Sequence, residues 1–151
     1  MELFGKKYLN KAELQSLSTV VAEAERNTSG EIRVVLKQRR QWKERKLTLQ
    51  ELALKEFHLL GMQNTRDRTG ILILLLLSEH KFQIIADEGI HKKVQEGTWQ
   101  AIADSMTDYF KMGNYFDGIA TAVKKVGEEL AKHFPRKSDD TNELPNEIIE
   151  R

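Results

Sequence analysis

The sequence predicts an α/β domain in which helices cover a small mixed β-sheet, with elements in the order α-β-α-β-β-α-α. Segments with apolar residues at helical spacing alternate with short, nearly continuous apolar runs that are typical of buried strands. The β-α-β portion from 31 to 77 predicts a right-handed crossover between parallel strands, whereas the next connection is so short that it requires antiparallel pairing. At 151 residues, the chain has the usual length of one domain.

The first helix and the first strand are predicted from Asn10 onward. Asn10 and Glu13 have the spacing of a capping box, and the apolar residues that follow predict a helix over residues 11 to 27. Beginning at Glu31, β-branched and apolar residues predict a strand of about seven residues. The connection after this strand, residues 37 to 46, carries six basic residues and no hydrophobic period, so we expect it to be solvated.

A second helix and a central strand are predicted next. Thr48 and Glu51 repeat the capping-box spacing, and the helix that they open should end near Gly61, because glycine is favoured just after a helix C-terminus. The run from Ile71 to Leu77 is apolar throughout. Leucine forms helices well, but the short length and the preceding Gly70 favour a strand that is covered on both faces.

The last part of the domain is predicted to contain a third strand and two helices. Phe82, Ile84 and Ile85 indicate an antiparallel strand, and the apolar residues from 90 to 110 outline a helix of up to six turns with Gly97 inside it. A final helix is predicted from Asn114, with Asp117 as its capping-box partner, and ends before Pro135. We therefore expect one domain over 1–135 and a loosely packed or disordered polar tail over 136–151.

The composition excludes several classes of function. The chain has 24 Lys and Arg against 23 Asp and Glu, so no global electric field favours nucleic acid or anionic lipid as a partner. It has no cysteine, which excludes disulfides, thiolate catalysis and Cys-based metal sites. Because we find neither a signal peptide nor an apolar run of the ~20 residues that span a membrane, we expect a cytoplasmic protein without a membrane partner.

Four acidic residues are predicted to meet at one edge of the sheet. Parallel pairing places Glu31 and the segment with Asp67 at the same edge, and antiparallel pairing returns the third strand, with Asp87 and Glu88, to that edge. Clustered carboxylates without His or Cys nearby favour a hard cation such as Ca²⁺ or Mg²⁺, which would relieve their mutual repulsion. The sequence therefore suggests a metal site formed by Asp87, Glu88, Glu31 and Asp67.

Each of these features also has an ordinary explanation. Asp87 and Glu88 would favour the positive N-terminal end of the helix that follows them, and Asp67 could pair with Arg66 or Arg68. Asp117 is explained as part of a helix cap, and the four histidines are too scattered to predict a zinc site. The basic segment 37–46 includes Trp42 and could bind single-stranded nucleic acid, although a basic loop is more often simply solvated.

Four segments together resemble the TPM domain, a family named for a plant thylakoid lumen protein, a photosystem II repair protein and a nematode receptor auxiliary subunit. Gly-Glu at the entry to strand one and Arg-x-Gly before the central strand match the family pattern. The resemblance implies a three-layer, Rossmann-like α/β/α sandwich with a sheet-edge site that binds calcium in some members and weakly hydrolyses phosphomonoesters in one. The chain differs from many members by having Asp87-Glu88-Gly89 in place of Gly-Tyr-Gly after strand three. The segments that carry the resemblance are 28–35, 65–73, 81–90 and 113–119.

Three hypotheses about function follow. The first is a domain that binds a divalent cation, most readily Ca²⁺, at the acidic sheet edge. The second is a metal-assisted phosphatase in which Arg68 contacts the phosphate. The third is a non-enzymatic module that binds a protein or a nucleic acid through residues 37–46 and the tail.

Overall fold

The computed structural model describes residues 8–137, 146 and 148–151, and its elements follow the predicted order. None of the helices in this described part is long and apolar enough to cross a membrane. The helices are α1 (Lys11–Glu25), α2 (Leu49–Leu59), α3 (Glu88–His91), α4 (Thr98–Lys111) and α5 (Tyr115–His133). The strands are β1 (Glu31–Lys37), β2 (Gly70–Leu76), β3 (Lys81–Ala86) and β4 (Ile149–Glu150).

The four strands form one mixed sheet in the order β3-β2-β1-β4. Strands β1 and β2 are parallel, in register from Glu31 opposite Gly70 to Lys37 opposite Leu76. Strand β3 pairs antiparallel with β2, with Ala86 opposite Ile71. The predicted parallel crossover and the predicted antiparallel return are therefore both confirmed.

Helices cover both faces of the sheet, which gives the three-layer α/β/α architecture expected from the sequence. On one face, Ile71, Ile73 and Leu75 of β2 pack in a core shared with α1, α4 and α5. On the other face, Leu72 and Leu74 pack against α2. Because successive residues of a strand point to opposite faces, both sets must be apolar, and this explains the nearly continuous apolar run of β2.

Two of the three predicted capping boxes are confirmed. The side chains of Asn10 and Thr48 accept hydrogen bonds from the backbone N–H groups three residues later, and the glutamates there return the bond. The third capping box, at Asn114 and Asp117, is wrong, because the Asn114 side chain makes no cap hydrogen bond. Asp117 lies exposed in the first turn of α5, where its charge favours the helix N-terminus.

The prediction of one continuous helix over 90–110 is also wrong. The structure has the short helix α3 at Glu88–His91 and a separate helix α4 that begins at Thr98. Gly97 precedes α4 with a φ of 90°, a left-handed conformation that a continuous α-helix excludes and that glycine adopts without strain. The apolar periodicity extends across this break because both helices face the same core.

The sequence predicted a loosely packed or disordered tail over 136–151, and the last described residues of the chain pair with the sheet. Strand β4 pairs parallel with β1, and the N–H of Arg151 donates to the carbonyl of Leu36 at 2.8 Å. Arg151 also contacts the carboxylate of Glu56, with Nε 3.1 Å from Oε1. These residues dock because β1 offers an unpaired backbone edge and Ile149 packs against the core below α2. The remaining tail residues, 138–145 and 147, lie outside the described residues, and the domain boundary at 135 stays a prediction.

Candidate functional site

The strand ends that carry the predicted acidic residues do meet at one edge of the sheet. Glu31 stands opposite Gly70 in the parallel pair. The N–H of Asp87, which directly follows β3, donates to the carbonyl of Gly70 at 2.9 Å. The sheet register thus brings residues 31, 67–70 and 87–88 to the same edge.

Asp87 is buried and bound to Arg68. Its side chain is 6% exposed, and its two oxygens accept hydrogen bonds from Arg68 Nε at 2.8 Å and Nη2 at 3.0 Å. Its Oδ1 also accepts from the N–H of Glu88 at 2.8 Å, which caps α3. This bidentate pair raises the pKa of Arg68, first through the hydrogen bonds and then through the charge of Asp87.

The carboxylates of Glu88 and Asp67 also lie next to cations. Glu88 Oε1 is 3.6 Å from Arg68 Nη1, so one guanidinium stands between Asp87 and Glu88. Asp67 Oδ2 is 3.2 Å from Lys137 Nζ and 3.5 Å from Arg66 Nε. The hydrogen bond from Lys137 lowers the pKa of Asp67.

Glu31, the fourth predicted ligand, is buried beside a second carboxyl group. Glu25 Oε2 accepts a hydrogen bond from the N–H of Ile32 at 2.6 Å. Burial raises the pKa of Glu25 to about 8, and the negative charge of Glu31 contributes to this rise. Within the described residues, no three His, Asp or Glu side chains are grouped so that they could hold a metal ion. The four predicted ligands therefore share an edge without forming one cluster.

A pocket of about 550 Å³ opens beside this edge, and its lining is strongly basic. Asp67 is the one carboxylate among the described residues that line it, and Lys137 already pairs with that carboxylate. Lys93 Nζ lies 5.2 Å from the ring centroid of Phe134 at the pocket wall. The basic residues at the pocket are Lys92, Lys93, Arg136 and Lys137, and Ser29 and Thr69 supply hydroxyl groups.

A family model of the TPM domain matches residues 5–129 of the chain. The chain belongs to the TPM domain family. The BA42 protein of the psychrophilic bacterium Bizionia argentinensis is similar over 100% of both chains, with 34% sequence identity and a TM-score of 0.86. The N-terminal domain of a P. gingivalis protein has the same fold at 22% identity, with a TM-score of 0.68, over 84% of this chain and 79% of that chain. No curated protein matches the chain.

Sequence reasoning missed the basic pocket of this TPM domain. Lys92 and Lys93 fall in the break of the predicted long helix, and Arg136 and Lys137 fall in the predicted tail. They approach one another because the chain after α5 crosses back to the sheet edge, where Ser29 N–H donates to the carbonyl of Phe134 at 2.9 Å. The two pairs of adjacent cations are the only signal in the sequence, and nothing in it indicates that the pairs meet.

Proposed function

We propose that this TPM domain binds a phosphate-bearing small molecule in the basic pocket at the sheet edge. The observation that carries the proposal is the charge of the lining, where four cationic side chains face one carboxylate around about 550 Å³. A cavity of this size accommodates a small organic ligand. Clustered Lys and Arg side chains supply the charge-assisted hydrogen bonds that phosphate oxygens accept most strongly.

The other lining groups support the same ligand class. Ser29 brings a hydroxyl group that can donate to a phosphate oxygen, and Phe134 offers an apolar surface to an organic substituent. Lys92 and Lys93 are exposed, and Lys93 Nζ already lies at the pocket wall beside the ring of Phe134. An anion would also reduce the repulsion among the cations at the pocket.

Titration with inorganic phosphate and with phenyl phosphate, followed by amide chemical shifts, tests this proposal. We expect the amides of Ser29, Thr69 and Gly89 to shift, and the shifts to weaken strongly in Lys92→Ala/Lys93→Ala. The matched control is Lys124→Ala/Lys125→Ala, which removes two exposed cations from α5 away from the pocket. Equal binding by the wild type and the Lys92/Lys93 variant would refute the assignment, and so would an unchanged wild-type spectrum.

A divalent cation at Asp87 and Glu88 is the second candidate, and it is supported by the position of Arg68. The guanidinium lies between the two carboxylates, at a point where a positive charge is favoured. Hard carboxylate oxygens suit Ca²⁺ or Mg²⁺. In this arrangement both oxygens of Asp87 already accept from Arg68, so the residues do not fit a metal unless Arg68, which is 46% exposed, moves away.

Removal of Arg68 tests whether the carboxylates of Asp87 and Glu88 can bind a divalent cation. Arg68→Ala leaves Asp87 buried without its partner, so the variant should be less stable than the wild type, and Ca²⁺ should raise its Tm more than it raises that of the wild type. Mg²⁺ is the comparison ion, and Lys137→Ala, which leaves Asp87 and Arg68 intact, is the control variant. If millimolar Ca²⁺ changes neither the Tm nor the amide shifts of Asp87 and Glu88 in either protein, this edge does not bind cations.

Hydrolysis of a phosphomonoester would be a further activity of the same pocket. The nitrogens of Arg68 face Asp87 and Glu88, so we assign the phosphate contact to the pocket cations and derive no step through a metal. Turnover of an aryl phosphate by the purified domain should fall in Lys92→Ala/Lys93→Ala if the pocket catalyses it. Turnover that persists undiminished in that variant and in Asp87→Asn would come from another site or from a contaminating enzyme.

A further inference from the structure

The segment between β1 and α2 contains a basic loop, residues 38–46, that turns outward at Trp42. The Trp42 side chain is 75% exposed, and Arg45 covers part of its ring with Cζ 4.9 Å from the centroid. Arg39, Lys43 and Lys46 are also exposed, and none of them forms an ion pair within the part of the chain that the structure describes. The outer side of the loop therefore combines one large aromatic ring with four cations.

The inner side of the basic loop is held by buried ion pairs. Glu44 is 1% exposed, and its two oxygens lie 3.1 Å from Lys37 Nζ and 2.9 Å from Lys55 Nζ. Burial alone would raise the pKa of Glu44, but hydrogen bonds from the N–H of Gln41 and from the two lysines lower it to about 2. The carboxylate is thus charged at neutral pH and anchors the loop to β1 and α2.

Arg40 fixes the two ends of the outward turn. Its Nη1 donates to the carbonyls of Glu44 at 3.0 Å and Leu47 at 2.6 Å, and its Nε donates to Glu79 at 2.8 Å. With Glu44 and Arg40 both bound, the turn has a defined shape. Trp42 is consequently held in solvent by the folded structure, although burial of an aromatic side chain would stabilise the domain.

An exposed tryptophan surrounded by cationic side chains is suited to binding an anionic lipid surface. Tryptophan lies at membrane interfaces because its ring is apolar and its N–H is polar, and neighbouring Lys and Arg side chains are attracted to anionic headgroups. Single-stranded nucleic acid is usually bound along a basic groove with several stacking platforms. Among the described aromatic residues, Trp42 is the only exposed one, and it stands on an outward turn.

We propose that the basic loop binds the surface of an anionic lipid bilayer, with Trp42 inserted at the headgroup level and Arg39, Lys43, Arg45 and Lys46 facing the phosphates. The sequence predicted no membrane partner because the chain lacks a spanning segment, but peripheral binding requires none. Leu59, which is 64% exposed and borders the same cavity as Gln41, adds apolar surface beside the loop. This site is separate from the basic pocket and does not depend on the proposed phosphate ligand.

Co-sedimentation of the full chain with phosphatidylcholine vesicles, with and without phosphatidylserine, tests the proposal. We expect binding only when phosphatidylserine is present, and weaker binding at high salt. Each cation near such a surface contributes roughly a fivefold gain in binding, so Lys43→Glu/Lys46→Glu should weaken it at least ~25-fold. In a Trp99→Phe background, the emission of Trp42 should shift to the blue when vesicles are added.

Two matched controls separate the loop from general charge and hydrophobicity. Lys124→Glu/Lys125→Glu makes the same charge change on exposed residues of α5, and Met112→Ala shortens another side chain that is 75% exposed. Both should bind vesicles as the wild type does, whereas Trp42→Ala should not. Circular dichroism checks that every variant is folded. Vesicle binding that is insensitive to phosphatidylserine or to the loop substitutions overturns the proposal. Binding to a single-stranded oligonucleotide without vesicle binding also overturns it and assigns the loop to nucleic acid.

Discussion

Replacing Glu25 by Gln tests whether a buried carboxyl group of the folded domain keeps a proton at neutral pH. Glu25 ends α1 and is 6% exposed, and its Oε2 accepts a hydrogen bond from the N–H of Ile32. Burial raises its pKa to about 8, against an ordinary value of 4.5. Gln keeps an acceptor oxygen for Ile32 but cannot become charged, so the substitution removes the titration and preserves the contact.

The direction of the expected pH dependence follows from the proton that Glu25 binds on folding. Below its ordinary pKa of 4.5 the carboxyl group is protonated in the folded and unfolded states alike. Between 4.5 and about 8 only the folded state keeps the proton, so the contribution of Glu25 to stability falls as the pH rises through this window. At about 1.4 kcal/mol for each pH unit, the whole window corresponds to about 5 kcal/mol.

Urea unfolding of the wild type and of Glu25→Gln at about pH 5 and about pH 9 measures this difference. Relative to the wild type, the variant should be more stable at the higher pH than at the lower pH by about 4 kcal/mol. Glu23→Gln is the control, because Glu23 is an exposed residue of the same helix. If Glu25→Gln changes the free energy of unfolding by the same amount at both pH values, Glu25 is not protonated in the folded domain at neutral pH.

Two substitutions test the other buried contacts. Glu44→Gln should destabilise the domain by about 3–5 kcal/mol in urea unfolding at neutral pH, because Lys37 is left buried without its nearer carboxylate. Glu128→Gln, at an exposed residue, is the control. Equal stability of the two variants would contradict the pairing of Glu44 with Lys37. Because the pKa of Glu44 is about 2, its contribution is present above 4.5 and should be lost as the pH falls toward 2. Gly89→Ala places a Cβ 2.4 Å from the carbonyl oxygen of Asp67, so α3 or the 67–68 backbone must shift. Thermal unfolding should show that the variant is less stable than the wild type by about 1–3 kcal/mol. An unchanged Tm would show that the edge relaxes around the added methyl group.

The fold could be predicted from local signals because each element carries its own. The alternation and length of the apolar runs identified β1, β2 and β3, and the short turn after β2 determined the antiparallel return. The break at Gly97 was missed because both helices face one core, so the periodicity continues across it. Strand β4 was missed because two residues are too few to carry a pattern.

For the candidate site, the sequence predicted where the acidic residues lie but not which cations pair with them. Strand register correctly placed Asp87 and Asp67 at one edge, but it could not tell which cations would reach them. Arg68, which pairs with Asp87, has a left-handed backbone conformation with a φ of 55°, which sequence patterns do not predict for arginine. Lys137 pairs with Asp67 although 70 residues separate them in the sequence, so no local sequence pattern predicts this contact.

The two proposed binding surfaces lie at opposite ends of β1. The backbone carbonyl of Thr69, at the basic pocket, accepts a hydrogen bond from the N–H of Glu31 at the start of the strand, and Glu44 of the basic loop pairs with Lys37 at its end. Seven strand residues separate these points by roughly 20 Å. Substitutions at such a distance normally act independently. A small anion in the pocket would therefore leave the Trp42 turn open to a lipid surface, and the domain could hold its ligand while it is bound to a membrane.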